Sequence, residues 1–203
     1  MNDEERRLLR ATLRQARRQL SINHQRSAAQ ALAARVIQQD FYNKARFIAF
    51  YQKIDGEIDP APILDLALSE GKTCFLPVIT DANPDSVSFA PYTADTRLTR
   101  NQWGIAEPPT DFIKSPAELD LVFVPLVGFD ANCSRLGMGM GFYDRTFSFK
   151  IADRHSQPLL VGLAHECQLT AGLATASWDV CLDAVITEEK IYRPEYCQGG
   201  NRG

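Results

Sequence analysis

Residues 121–127 are almost uninterrupted apolar sequence, Leu-Val-Phe-Val-Pro-Leu-Val. A strand built from such a run has no face to offer water, so it must lie inside a sheet that is covered on both sides. Shorter β-prone runs occupy residues 47–51, 74–78, 161–163 and 184–186, and residues 87–91 alternate as a half-exposed strand does. Helical patterns separate them. Leu9, Leu13, Ala16 and Leu20 recur at helical spacing, and Ser21 suits the cap of a second helix that turns Ala29, Leu32, Ala33, Val36 and Ile37 inward. A further helix is expected over residues 60–70, with Pro60 in its first turn and Gly71 at its C-terminal cap. Strands interleaved with helices give the α/β class: a mainly parallel sheet flanked by helices, with ligands at the carboxyl ends of the strands.

Composition narrows the setting. A chain of 203 residues, 45% hydrophobic and 23% charged, is long enough for one sizeable core. A single domain is expected over residues 1–191, with the glycine-rich, polar segment 192–203 as a disordered tail. No apolar run approaches the ~20 residues that cross a bilayer, and the charged stretch from Asp3 to Arg18 leads into no signal-like segment, so a cytoplasmic monomer without a membrane partner is expected. The five cysteines are widely spaced and never form C-x-x-C, which suggests neither a disulfide framework nor a thiolate zinc site. A net charge of -3 gives no global attraction for nucleic acid, leaving a small molecule as the expected partner. His24, His155 and His165 fall in no H-E-x-x-H or Ser-His-Asp pattern, and no chemistry is assigned to them.

Beyond the apolar run comes Arg135-Leu136-Gly137-Met138-Gly139-Met140-Gly141-Phe142-Tyr143-Asp144-Arg145. Alternate glycines let backbone N–H groups turn toward an anion, and a helix starting near Gly141 would add its positive end. Arg135 and Arg145 bracket the loop with permanent charge, and Asp144 offers a hard oxygen for Mg²⁺. The glycine spacing matches neither G-x-x-x-x-G-K-[ST] nor the full G-x-G-x-x-G, and by itself it fits a tight turn as well as a phosphate cradle. At about 100° per residue, Arg6, Arg10, Arg14 and Arg17 form one stripe on the first helix beside the leucines. From charge alone that stripe reads as a solvated face. Glu57, in a turn with Asp55 and Gly56, reads as a solvated acid, while Trp103 suits a core cap as well as a ligand stack.

The whole string is more specific. V-P-L-V-G-F-D followed by R-L-G-x-G-x-G-F-Y-D-R closely resembles the signature of the 5-formyltetrahydrofolate cyclo-ligase family. The resemblance runs from about Arg6 to Glu188 and keeps the family's order: the basic first helix, Asp55-Gly56-Glu57-Ile58-Asp59, Gly71-Lys72, Leu76-Pro77-Val78, Trp103-Gly104-Ile105-Ala106-Glu107-Pro108, the glycine-rich signature, and Gly162-Leu163-Ala164 with Gln168. It implies a three-layer α/β/α sandwich similar to the ribose-phosphate isomerase and CoA-transferase group, and conversion of 5-formyltetrahydrofolate to 5,10-methenyltetrahydrofolate with ATP and Mg²⁺.

The resemblance also implies roles. Arg135 and Asp144 are the catalytic pair. ATP falls to Arg6, Arg10, Arg135, Leu136, Gly137, Met138, Gly139, Met140, Gly141, Phe142, Tyr143 and Arg145, and folate to Glu57, Trp103, Phe142 and Tyr143. Asp144 and Asp183 bind the metal, with Asp179 close by Asp183 in sequence as the alternative. Arg6 stands where the family has lysine, and Phe142 where tyrosine is commoner. Met138 and Met140 occupy positions at which some relatives are basic, which leaves phosphate to Arg135, Arg145, the amino-terminal arginines and backbone amides. Two other readings stay open on architecture: a sugar-phosphate isomerase or CoA transferase, and a nucleotide-binding module without turnover.

Overall fold

A computed structural model of the chain describes residues 1–101 and 104–195. Three helices open it, α1 (Asp3–Arg18), α2 (Ile22–Val36) and α3 (Asp40–Lys44). Then follow β1 (Phe47–Ala49), α4 (Ala61–Ser69), β2 (Thr73–Thr80), β3 (Asn83–Tyr92), and a short pair, β4 (Thr99–Arg100) with β5 (Ala106–Glu107). The second half holds β6 (Leu121–Pro125), the hairpin β7 (Gly128–Phe129) and β8 (Arg135–Leu136), α5 (Phe142–Thr146), β9 (Leu159–Leu163), β10 (Ala184–Ile186) and β11 (Ile191–Tyr192).

Among the described residues the main sheet has seven strands in the order β11-β10-β9-β6-β1-β2-β3. The apolar run supplies β6, the middle strand, and Leu121 through Val124 are wholly buried. Pro125 ends it by withdrawing an N–H from the ladder. Side chains alternate in and out as the pleat requires. Ile48, Leu76, Phe123, Val161 and Ile186 pack on one face against Leu32 and Val36 of α2 and Ile63 and Ala67 of α4. Ala49, Phe75, Val122, Val124 and Val185 face the other way, onto Phe129, Phe147 and Leu182.

The five inner strands are parallel, and β3 and β11 add antiparallel edges. In chain order the parallel strands are β1, β2, β6, β9 and β10, yet in space β1 lies between β2 and β6. The chain therefore reverses direction across the sheet between β1 and β6, and such a switch point opens a crevice at the carboxyl ends of the two strands.

The caps follow the sequence. Asn2 and Glu5 form a reciprocal box at the start of α1, with bonds of 2.9 and 2.7 Å. Ser21 accepts the His24 N–H at 3.2 Å and starts α2. Gly71, at φ +74°, closes α4: its N–H goes to Leu68 O and that of Lys72 to Ala67 O, both at 3.0 Å. One expected boundary is corrected. Tyr192, assigned to the tail from composition, lies in β11 and is buried against Phe129, with ring centroids 5.0 Å apart. Residues 196–203 lie outside the described residues. Among the described residues no helix is long and apolar enough to cross a membrane.

Helix α1 packs on neither face of the sheet. Leu13 joins Val127 and Leu136 in a small separate cluster, which sets the arginine stripe over the strand ends. The approach depends on Gly128, where a Cβ would run into Leu13 Cδ1. Gly128→Val should therefore destabilise the fold by about 1–3 kcal/mol. Gly172→Val, at a site with nothing within 4 Å of the added carbon, should stay within about 0.5 kcal/mol. Urea denaturation checks both, and equal stabilities for the two variants would contradict the close packing of α1 on β7.

Candidate active site

A cavity of about 470 Å³ opens at the switch point. Tyr51 and Glu57 reach it from the segment after β1, Pro77 and Ile79 from β2, and Pro125 and Leu126 from the end of β6. Residues 135–144 and, from α1, Arg6 and Arg10 also line it. Volume and lining suit a drug-sized ligand, since such clefts typically span roughly 300–1,000 Å³.

Asp130 shapes the hairpin that delivers Arg135. Its Oδ1 accepts the N–H groups of Asn132 and Ser134, each at 3.0 Å, and its Oδ2 accepts that of Leu173 at 3.0 Å. Such a turn draws the chain back at once into β8, whose first residue is Arg135. The Arg135 side chain is almost wholly buried, and its Nη2 donates to Asp144 Oδ1 at 2.6 Å. Asp144 Oδ1 also accepts the Val180 N–H at 3.1 Å. Arg135 Nε is buried and donates to no protein acceptor. A guanidinium N–H left in that state is costly unless an anion takes it.

Beyond Leu136 the loop runs through Gly139 at φ +103° and Gly141 at φ +67°, both in the region that favours glycine. Arg10 lies over Gly139 and donates to Gly137 O at 2.9 Å. Arg6 donates to Ala174 O at 2.5 Å and stands 3.8 Å from Asp179. Burial, with the Arg6 charge beside it, pulls Arg10 below the ordinary arginine range. Arg6, Arg10 and Arg135 thus bring a positive field to one wall of the cavity.

The next turns of α1 serve Glu57. Arg17 is fully buried and donates to Asp55 O at 2.8 Å, Leu126 O at 3.0 Å and Asp55 Oδ2 at 3.0 Å. Arg14 and Arg18 bind the same Asp55 carboxylate. Burial alone would raise Asp55, but the three arginine hydrogen bonds outweigh it and hold the carboxyl below its usual value. Glu57, two residues on, accepts the Ile54 N–H at 3.1 Å and lies 3.6 Å from Arg17. Its burial pushes the pKa up to about 7 despite Arg17 and the Ile54 N–H. Arg17 offsets so little because Asp55 and two carbonyls already share its donors. Tyr143 stands near enough to Glu57 that burial, reinforced by that charge, raises its phenol.

The structure gathers most of the residues anticipated from sequence. Arg6, Arg10, Glu57 and every residue from Arg135 through Asp144 line the cavity. Two expectations are corrected by position. Asp183 sits at the opposite, amino end of the sheet, accepting the Leu160 N–H at 2.7 Å beside Lys150 at 3.8 Å, because it immediately precedes β10. Asp179 is the acid of that region that lines the cavity. Arg145 turns away to brace the loop, donating to Met140 O at 2.7 Å and to Asp85 O, with Phe142 under its guanidinium. Trp103 lies outside the described residues. Sequence reasoning passed over Tyr51, Trp178 and the Arg14–Arg17–Asp55 network. A tryptophan directly before Asp179 was a signal available for Trp178; nothing local marks Tyr51.

Residues 2–188 match the family model described as the 5-formyltetrahydrofolate cyclo-ligase family. The chain belongs to that family. It is 35% identical over 182 residues to the 5-formyltetrahydrofolate cyclo-ligase of Escherichia coli K12, covering 89% of this chain and 98% of that one. With the Haemophilus influenzae cyclo-ligase it shares 35% over 188 residues, or 92% and 99% of the two chains. Among solved structures it resembles the 5,10-methenyltetrahydrofolate synthetase of Aquifex aeolicus, with a TM-score of 0.80 and 27% identity over 94% and 93% of the chains. The cyclo-ligase signature thus coincides with the loop that lines the cavity.

Glu57 makes this cyclo-ligase pH-sensitive in a defined window. In the unfolded chain its carboxyl loses its proton near 4.5, in the folded protein near 7, so between those values the folded state holds more protons and loses stability as pH rises. Glu57→Gln should gain stability relative to the parent across that window, by up to roughly 3 kcal/mol. Denaturation at both ends of the window measures it, and parallel pH curves would show that Glu57 does not titrate as described.

Proposed function

We propose that the protein closes the ring of 5-formyltetrahydrofolate to 5,10-methenyltetrahydrofolate, with ATP as the phosphoryl donor. The observation that carries the reading is Arg135: a buried guanidinium on the cavity wall, one N–H without a protein acceptor, beside a glycine loop and two further arginines. That arrangement suits a polyphosphate, and the Glu57 carboxylate, with Tyr51 and Tyr143 in the same cavity, suits the donor-rich edge of a reduced pterin.

A formyl amide has a weakly electrophilic carbon and a poor leaving group. Phosphorylation remedies both defects. The formyl oxygen attacks the γ-phosphorus and ADP leaves; N10 then adds to the activated carbon, and loss of phosphate and a proton leaves the methenyl bridge. The chain's own task is to hold the partners in line and balance developing charge. Arg135 stabilises the transferring phosphoryl group, while Arg6 and Arg10 hold the remaining phosphates. Glu57 orients the pterin, and no side-chain nucleophile is required.

The residues fit Mg²⁺. Asp144 gives only Oδ1 to Arg135 and Val180, which leaves its other oxygen for a cation, and Mg²⁺ commonly takes one or two carboxylates together with substrate phosphates. Asp179, which spends one oxygen on the Ala176 N–H, is the other acid of the cavity suited to it. When bound, Mg²⁺ supplies charge neutralisation on the phosphates.

The finer expectations go with this reading. Clusters of apolar side chains on the two faces of the sheet support the three-layer sandwich akin to the isomerase and CoA-transferase group. The cavity supports small-molecule substrates; a cytoplasmic monomer without nucleic-acid or membrane partners is proposed along with them.

Incubation with 5-formyltetrahydrofolate and MgATP should give an ATP-dependent rise in the near-ultraviolet absorbance of the methenyl product; folded protein that gives none sinks the proposal. Arg135→Ala should lower kcat by about 10²–10³-fold with the fold intact. Asp144→Asn should raise the Mg²⁺ concentration needed for half-maximal rate. Parent-like kinetics in either variant would remove the role assigned to that residue.

A further inference from the structure

Three side chains from separate elements converge outside the cavity: His24 in the first turn of α2, His165 just after β9, and Glu188 just after β10. One ligand atom from each lies within 4.8 Å of the others, and His24 Nε2 stands 3.6 Å from Glu188 Oε1. None of the three lines the cavity.

His165 is the decisive member. Its ring is fully buried, yet neither Nδ1 nor Nε2 has a hydrogen-bond partner. Buried polar groups nearly always find a partner, so an imidazole with both nitrogens unused calls for a ligand. Gln168 binds mainly the His165 backbone: its N–H goes to His165 O and its Oε1 accepts the His165 N–H, both at 2.9 Å, with the same Gln168 N–H turned toward the ring. The Gly56 backbone lies close enough to favour the charged ring but does not reach hydrogen-bond geometry. Burial, then His24 and Arg17, holds the ring neutral, which is the ligating form. Arg17, whose positive charge His165 feels, is itself paired with Asp55 at 3.0 Å.

We propose that His24, His165 and Glu188 form a binding site for a divalent transition-metal ion of the zinc class, separate from the nucleotide cavity. Two imidazoles and one carboxylate favour Zn²⁺, Co²⁺ or Ni²⁺ over Mg²⁺, which prefers oxygen alone. Three protein ligands leave a fourth position for water. The spread needs only a modest closing, and His24 can supply it, being half-exposed at a helix start. A bound ion would strap the start of α2 to the ends of β9 and β10, and would stabilise the fold by mass action.

The test uses untagged full-length protein, stripped by chelator and kept in excess Mg²⁺. Zn²⁺ is titrated by calorimetry and Co²⁺ by visible absorption. One Zn²⁺ per chain with micromolar affinity, a raised thermal midpoint and the intense d–d bands of a low-coordinate Co²⁺ are expected. His24→Ala, at a partly exposed position, should weaken binding by at least about tenfold while metal-free thermal stability stays unchanged. Glu188→Gln should weaken it similarly, whereas Asp144→Asn should leave it in place. The proposal is overturned by absence of Zn²⁺ binding, by binding that survives His24→Ala, or by binding lost in Asp144→Asn, which would put the ion in the nucleotide cavity.

Discussion

The site depends on one buried cation. Arg17 carries a full charge with no access to water, a position tenable only when every donor is matched. Its partners are the end of β6, through Leu126 O, and the turn after β1, through the Asp55 carbonyl and carboxylate. These are the two strands that flank the switch point. One guanidinium thus joins α1 to both lips of the cavity, and it fixes where Arg6 and Arg10, further up the same helix, must fall. Asp55 answers with its carboxylate shared among three arginines, in a turn whose left-handed Asp55 and Gly56 bring it up against the end of α1. Burial of this network costs desolvation, so its yield is geometric definition more than stability.

Next to that network, two carboxylates are driven in opposite directions. Asp55 is held ionised by hydrogen bonds, while Glu57, two residues on, is pushed upward by burial. Environment, not residue type, separates a structural acid from one able to change charge near neutrality. Across the cavity, Arg135 and Asp144 spend part of their hydrogen-bonding capacity on each other and keep the remainder: an N–H on one and an oxygen on the other. Such a half-used pair suits the phosphate and counterion of the proposed reaction.

Much of this was legible in the chain. The uniform apolarity of residues 121–127 required a central strand, and the pleat then assigned Val122 and Phe123 to opposite faces. The strands at 74–78 and 87–91 were visible as runs, although the structure extends both. Gly71 as a helix stop and Ser21 as a helix start followed from local chemistry. The short hairpin of β7 and β8 was not visible, because it is set by the Asp130 carboxylate binding amides in its own turn and at Leu173. The edge strand β11 escaped for a related reason: two residues beside a polar tail carry too little pattern to register before a neighbour pairs with them.

Of the cavity lining, the sequence by itself marked the glycine loop with Arg135 and Asp144, since steric and charge requirements of neighbouring positions are local, while the roles proposed for them came from the family resemblance. It also determined the arginine stripe, through helical periodicity. Only the tertiary structure decided what that stripe does: Arg6 and Arg10 face the cavity and Arg17 is buried, because the acceptors of Arg17 lie 38 and 109 residues away along the chain. The same distance effect removed Asp183 from the cavity and turned Arg145 outward. A side chain's chemistry is written in its residue type, but the partner that puts it to use is chosen by the packing of distant strands.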